Sequence, residues 1–360
     1  MGQYDIRWFR KDLFFYGWEI GKLTGLSGEY RFEYDPAWEV SLSPQLPVDR
    51  NPAYEGVRMP CFFENLLPEG WMENQLLSTF KIAKEDEPGL LATTEKYLSN
   101  LTLQTSDLDT SKVTFDTLDN SLSDLVTSPE AVLEVEDLII QDKDLQTVLR
   151  DLGSKGPVRV SGVQAKLPVS IELNNSKCIL KLGVLNNSCA HIIKYQSPSF
   201  PNMVENEWAT MELASRAGLL VATARMVKAN KKTELFPGRA LLIERYDIPT
   251  KDDLETKANI ELALQQDVAS LLSLSRIQKY NTSAEKVAKA LTDCRLEESD
   301  MNIYLAHLIF CWFVGNGDLH AKNVSVIKWL SSGKLGSYPS LKRISYSPLY
   351  DLVNTKICLP

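Results

Sequence analysis

With 360 residues, 44% of them hydrophobic and 24% charged, the chain has the composition of an ordinary globular protein of more than one average domain, which excludes a fibrous or disordered chain. Its net charge of −8 is unevenly spread: residues 1–150 carry 13 Lys+Arg against 27 Asp+Glu, and residues 151–360 carry 26 against 20. The halves therefore stand at −14 and +6, which marks a boundary near residue 150 and sets a positive field on the second half, too diffuse for nucleic-acid binding but suited to an anionic nucleotide.

Taken in chain order, residues 4–34 read as short strands with turns: Tyr4 to Phe9, Leu13 to Leu23 and Tyr30 to Tyr34. Residues 60–80 switch to helical apolar spacing around Phe62, Phe63, Leu66 and Leu67, interrupted by Pro68-Glu69-Gly70 and resumed from Trp71 to Phe80. Residues 105–147 are acidic and rich in Ser and Thr, with a helix expected from about Pro129 to Leu138. Gly153-Ser154-Lys155-Gly156-Pro157 suits a domain join. Strands follow over 158–160, Ala165 to Leu173, Cys178 to Leu182 and Ile192 to Tyr195. Then come a helix from Met203 to Ala217 ending at Gly218, and a buried strand from Ala240 to Tyr246.

Beyond that the chain is expected to be largely helical, over roughly 262–274, 283–291 and 302–314. The last of these is apolar on nearly every face and reads as a core helix ending at Gly315. No apolar run approaches the roughly 20 residues that span a bilayer, and Met1-Gly2-Gln3-Tyr4-Asp5 lacks a signal pattern, so a cytoplasmic protein without membrane contact is expected. Cys61, Cys178, Cys189, Cys294, Cys311 and Cys358 form no C-x-x-C pair and there are three histidines, which argues against a disulfide framework or a zinc cage.

The chemistry is concentrated in Gly315-Asn316-Gly317-Asp318-Leu319-His320-Ala321-Lys322-Asn323 and, after a strand-length gap, Pro348-Leu349-Tyr350-Asp351-Leu352. An aspartate, an asparagine five residues on and a later aspartate is the arrangement by which kinases supply a catalytic base and two magnesium ligands. On that pattern Asp318 accepts the acceptor's hydroxyl proton, and Asn323 and Asp351 offer hard oxygen ligands to Mg. Lys194, on a strand followed by a helix, would neutralise the α and β phosphates of ATP. Glu207 in the first turn of that helix is its candidate ion-pair partner, with Glu205 the competing choice. Glu244-Arg245-Tyr246-Asp247 falls where a two-lobed kinase places its hinge, so adenine would be received there. Each residue alone has a bland reading, as a turn cap, a solvated lysine or a structural histidine, and the order of all five features is what points to phosphoryl transfer. There is no G-x-G-x-x-G, Walker, H-R-D or D-F-G motif. Val160-Ser161-Gly162-Val163-Gln164-Ala165-Lys166 is the candidate phosphate loop.

These stretches, with Phe62-Phe63-Glu64-Asn65-Leu66-Leu67-Pro68-Glu69-Gly70, closely resemble the HipA-like serine/threonine kinases, toxins of bacterial toxin–antitoxin modules, over nearly the whole chain. The resemblance implies an α+β, two-lobed protein-kinase-like fold with a small β-rich N-terminal module over 1–150. A kinase domain over 151–360 would follow, divided into an N-lobe to about 247 and a helical C-lobe from about 248. It implies an ATP- and Mg-dependent protein kinase that phosphorylates a serine on a cellular target such as an aminoacyl-tRNA synthetase and so arrests growth. A cognate helix-turn-helix antitoxin would restrain it, with nucleic acid met only through that partner. It assigns Asp318 as base, Asn323 and Asp351 as metal ligands and Lys194 to the phosphates. Ser161 and Gly162 fall to the phosphate loop, Glu244, Tyr246 and Asp247 to adenine, and His320 and Tyr350 to the site lining. In many relatives a serine three positions before the loop glycine is autophosphorylated. Arg159 stands there in this chain, which leaves Ser161 as the candidate. Full-length relatives usually continue with more helices after the Tyr-Asp-Leu segment, so a short or truncated C-terminus is expected. A lipid or small-molecule kinase, or a pseudokinase-like binding module, is the alternative.

Overall fold

Strands β1 (Trp8–Phe15) and β2 (Trp18–Leu26) are joined through Tyr16 and Gly17, at φ 46° and 86°, in a computed structural model that describes residues 8–26, 29–92, 100–104, 133–140, 166–174, 177–182, 190–196, 200–229, 238–249, 261–331 and 338–358. Two successive left-handed residues form the tight turn whose twist matches that of a hairpin. Strands β3 (Glu29–Tyr34), β4 (Tyr54–Gly56) and β5 (Leu101–Gln104) complete an antiparallel sheet in the order β4-β3-β2-β1-β5. Helices α1 (Cys61–Glu64), α2 (Gly70–Phe80) and α3 (Glu87–Ala92) fall between β4 and β5 in sequence, and Pro68-Glu69 separates the first two, with Gly70 opening α2. Leu13, Phe15, Ile20, Leu23 and Phe32 share one core with Phe62, Phe63, Leu76 and Leu90. Leu262, Leu264 and Leu330, from far along the chain, belong to the same core, so the module is docked by apolar burial onto the C-lobe.

The next six strands close a barrel: β6 (Leu133–Ile140), β7 (Lys166–Asn174), β8 (Lys177–Leu182), β9 (His191–Tyr195), β10 (Ala224–Ala229) and β11 (Arg239–Glu244), in the order β10-β11-β9-β7-β8-β6. The helix expected over about 129–138 is thus corrected in its described part: Leu133 onward is a strand, parallel to both β8 and β10. Its Leu-Glu-Val-Glu alternation has the period of a strand, and pairing on both edges decides the matter. The segment lies in the acidic half by charge yet builds the barrel of the kinase-like lobe. Helix α4 (Met203–Arg216) packs on β10 and β11 through Val204, Met211 and Ala214.

The second lobe is not purely helical. Residues expected as helix over 262–274 form β12 (Glu261–Asp267), then a single turn, α5 (Val268–Leu271). A short apolar run cannot by itself be told apart as buried strand or buried helix. Here β13 (Ser325–Ser331) pairs with β12 on one edge and with β14 (Ser340–Tyr346) on the other. Helices α6 (Ala284–Asp293) and α7 (Glu298–Val314) follow the expected periodicity, and α8 (Thr355–Cys358) ends the described chain. Among the described residues no helix is long and apolar enough to cross a membrane.

Helix α7 is also less buried than its composition suggests. Tyr304, His307, Phe310 and Cys311 face the core, whereas Leu305, Ile309, Trp312 and Phe313 are exposed, Trp312 to 83%. One stripe at three- and four-residue spacing suffices to pack against α6 and β14. His307 is 1% exposed, with Nδ1 2.9 Å from the Tyr346 hydroxyl, and burial pulls its imidazole from the usual 6.5 to about 4. Above pH 6.5 both folded and unfolded chains hold it neutral. As the pH falls from 6.5 toward 4, only the unfolded chain takes up the proton, so stability is lost, by roughly 3 kcal/mol at the lower end. Urea titrations should show a shallower acid decline for His307→Gln than for wild type, and parallel declines would exclude this role.

Candidate active site

Lys194 sits in β9 between β7 and β11, in register with Lys166 and Leu241. Its Nζ donates to Glu207 Oε1 of α4 at 2.5 Å and to Asp351 Oδ1. Glu205, the alternative partner, instead lies 3.6 Å from Arg239. Helical spacing explains the choice: Glu207 shares the inner face of α4 with Val204 and Met211, and Glu205 does not. Burial opposes the charge on Lys194, but Asp351 and Glu207 together raise its pKa above the usual lysine value. Two carboxylates share one ammonium. Burial pushes Glu207, 1% exposed, upward. For Asp351 burial acts in the same sense, but Lys194 and then Lys166 outweigh it and hold this carboxyl well below the usual range.

Asp351 adopts φ 54°, a left-handed conformation that costs most residues energy and that aspartate tolerates better than most. The flanking contacts impose it. Leu349 exchanges backbone bonds with Leu220 and Ala222 at 2.9 Å each, and Asn354 exchanges two bonds of 2.9 Å with the Asn206 side chain of α4. The helix that carries Glu207 is thereby tied to the segment that carries Asp351.

The loop from Gly315 to Val324 connects α7 to β13. Gly315 caps α7 at φ 68°, and a Cβ on Gly317 would lie 2.9 Å from Thr355 Oγ1, so these two positions need glycine. Asn316 Oδ1 accepts from the Asp318 N–H at 3.0 Å, and Asn323 Nδ2 donates to the Asp318 carbonyl at 3.0 Å. That bond spends the amide nitrogen of Asn323 inside the loop and leaves its oxygen as the side able to meet a cation. Tyr350 donates to the Lys322 carbonyl at 2.9 Å and pairs with Ser325 at 2.6 Å, so its hydroxyl holds the loop. His320 feels the charges of Lys279, Asp318 and Asp351. Burial is the main reason its pKa falls below the usual value, and its Nδ1 is buried without a hydrogen-bond partner among the described residues.

Lys194, Glu207, Asp318, His320, Asn323, Tyr350 and Asp351 are therefore gathered at one place. The hinge candidates are less uniform. The N–H groups of Glu244 and Arg245 are already bonded to Thr223 and Ala190 at 2.8 Å each. Asp247 does not offer its carboxylate to a nucleotide: Arg245 chelates it at 3.0 and 2.7 Å, both side chains being 3% exposed. Its carbonyl accepts from Tyr16 and Asn100 of the N-terminal module, which makes it a joint between modules. Tyr246 remains beside the cleft, its ring 6.2 Å from that of Tyr350. Ser161 and Gly162 lie outside the described residues. One contact had no signal in the sequence: Tyr280, after the 3-10 turn Arg276–Gln278, donates its hydroxyl to Asp318 Oδ1 and sets its ring edge-on to His320 at 4.9 Å.

A barrel-shaped lobe that supplies a strand lysine and a helix glutamate, joined to a lobe that supplies an Asp-x4-Asn loop and a later aspartate, defines a two-lobed, protein-kinase-like scaffold. Residues 158–359 match the HipA-like C-terminal domain and residues 12–97 the HipA N-terminal domain, and the chain belongs to the HipA-like family. Two Sinorhizobium fredii proteins are similar to it. "Putative kinase Y4dM" is 27% identical over 46% of this chain and 37% of its own length. "Putative kinase Y4mE" is 29% identical over 54% of this chain and 42% of its own. The chain thus spans only about two-fifths of either relative's length. Among solved structures, HipA of Shewanella oneidensis MR-1, determined with HipB and operator DNA, superimposes with a TM-score of 0.63. That match covers 96% of this chain and 76% of that one at 21% identity, a likeness of fold.

Proposed function

We propose that the chain is an ATP- and Mg-dependent serine/threonine protein kinase that arrests growth by phosphorylating a cellular protein such as an aminoacyl-tRNA synthetase. The observation that carries this reading is the buried Lys194, bonded at once to Glu207 and to Asp351, beside the loop of Asp318 and Asn323. In the transfer, the acceptor oxygen bonds the γ-phosphorus, the β–γ bridging bond breaks, ADP leaves and Asp318 takes the proton. Lys194 neutralises phosphate charge, and Glu207 keeps it in place. Asn323 and Asp351 fit Mg, a hard cation that is commonly held by one or two protein oxygens together with nucleotide phosphates and that screens the charge between them. Tyr246, His320, whose Nδ1 has no hydrogen-bond partner among the described residues, and Tyr350 complete the nucleotide side.

The names of the Sinorhizobium relatives support kinase chemistry, and the assembly of the Shewanella HipA with HipB on operator DNA supports a DNA-binding antitoxin as this chain's partner. Incubating the purified chain and γ-labelled ATP with a bacterial extract should label a protein band on serine or threonine, and only with Mg present. Label confined to lipid or small molecules would favour a different acceptor. Binding of ATP without turnover would reduce the chain to a binding module.

A further inference from the structure

The segment from Phe62 to Gly70 lies at the joint between the N-terminal module and the C-lobe. Within it, the Glu69 carboxylate receives Lys322 Nζ at 2.5 Å on one oxygen and Lys279 Nζ at 2.9 Å on the other. Lys322 is the residue between Ala321 and Asn323, and it also donates to the Asn65 carbonyl at 2.9 Å. The Lys279 carbonyl accepts from the Ala321 N–H at 3.0 Å, and the next residue is Tyr280, whose hydroxyl is bonded to Asp318. Two routes thus run from one carboxylate to the two ends of the Asp-x4-Asn loop. We propose that Glu69 is a positioning residue for phosphoryl transfer, by which the N-terminal module holds Asp318 and Asn323 in register. The inference rests on the kinase reading above.

The physical case is one of preorganisation. The ten-residue loop from Gly315 to Val324, which opens on Gly315-Asn316-Gly317, has many accessible conformations, and transfer needs its base and its metal ligand in a single one. The Glu69 side chain is 29% exposed and Lys322 is 16% exposed, so this bridge is screened less than a surface pair. Burial alone would raise the Glu69 carboxyl, yet Lys322 and Lys279 hold it at about 2, so it stays charged throughout the working pH range. A second ion pair at the same joint provides the contrast. Arg276 meets Glu73 at 2.8 Å, and its other bonds go to Glu64 and Pro68, all within the module. That pair docks the module without touching the loop.

The test uses the full chain with Glu69→Gln, Glu69→Asp and Glu73→Gln. It measures steady-state transfer from γ-labelled ATP, thermal melting, and hydrogen exchange of the peptide spanning residues 315–324. Glu69→Gln should lower kcat about tenfold or more at unchanged KM for ATP and speed exchange in the loop. Glu69→Asp should regain part of both effects. Glu73→Gln should lower the melting temperature as much as Glu69→Gln does, with kcat and loop exchange unchanged. Wild-type kcat and loop exchange in Glu69→Gln, or an equal loss of kcat in Glu73→Gln, overturns the proposal and leaves the kinase reading intact. If the wild-type chain transfers no phosphate, the kinase reading fails by itself and loop exchange alone decides whether Glu69 holds the loop. Should Glu69→Gln not fold, Glu69→Asp, with the same charge and a shorter reach, carries the comparison with Glu73→Gln.

Discussion

Replacing Asp318 by alanine should lower phosphoryl transfer on the order of 10²- to 10⁴-fold, the range expected for loss of a positioned general base, with ATP binding and folding close to wild type. The separation follows from how the residue is held. Its N–H and carbonyl are bonded to Asn316 and Asn323, and these backbone bonds survive the substitution. Its carboxylate makes one described side-chain bond, to Tyr280, which is itself 59% exposed and can be solvated when released. Single-turnover transfer and nucleotide-induced thermal shift, measured on the same preparation, check both halves of the expectation. In a bacterial host, wild type should arrest growth with new phosphosites in the proteome, and Asp318→Ala should do neither. An alanine variant with undiminished transfer would remove Asp318 from the mechanism.

The second large effect is on stability as well as on activity. Lys194→Met should destabilise the fold by about 3–5 kcal/mol, because removing one partner of a buried ion pair leaves Glu207 charged and uncompensated at 1% exposure. In the variant Glu207 escapes by binding a proton, so its folded pKa lies above its unfolded one. The sign is then fixed: the loss is smallest below the unfolded value near 4.5 and grows as the pH rises toward the folded one. Chemical denaturation of wild type and variant at pH 5 and pH 8 measures it. Adding Glu207→Leu removes the stranded carboxyl, and Lys194→Met/Glu207→Leu should recover most of the stability yet not the phosphoryl transfer, since the ammonium of Lys194 is still missing from the phosphates. A double variant as unstable as the single one would mean that the Lys194–Glu207 pair does not account for the loss.

Much of the site was legible because its residues are specified by local order. The Asp-x4-Asn loop needs only a helix that ends at glycine, and the run from Glu298 to Gly315 is such a helix. Lys194 was identifiable as a strand residue, since Ile192 and Ile193 precede it and a helix follows. Whether it paired with Glu205 or Glu207 depended on which face of α4 meets the barrel, and Asp247 went to Arg245 because the N-terminal module reaches the hinge through Tyr16 and Asn100. Tyr280 carries no pattern at all; its contact with Asp318 joins residues 38 apart that only folding brings together.

By itself the sequence determined the helices with strong periodicity, the β-rich start of the chain, the loop that carries the candidate base and metal ligand, and the family resemblance, but it read Leu13 to Leu23 as one strand where the structure turns at Tyr16 and Gly17. Each depends on residues close together in the chain, or on residue types in a fixed order. Tertiary structure alone decided that Leu133–Ile140 and Glu261–Asp267 are strands, that half of α7 faces outward, and that Glu69 meets Lys322 across 253 residues. Those outcomes turn on which edge or charge finds a partner, and a short apolar segment or a lone carboxylate does not name its partner until the chain has closed around it.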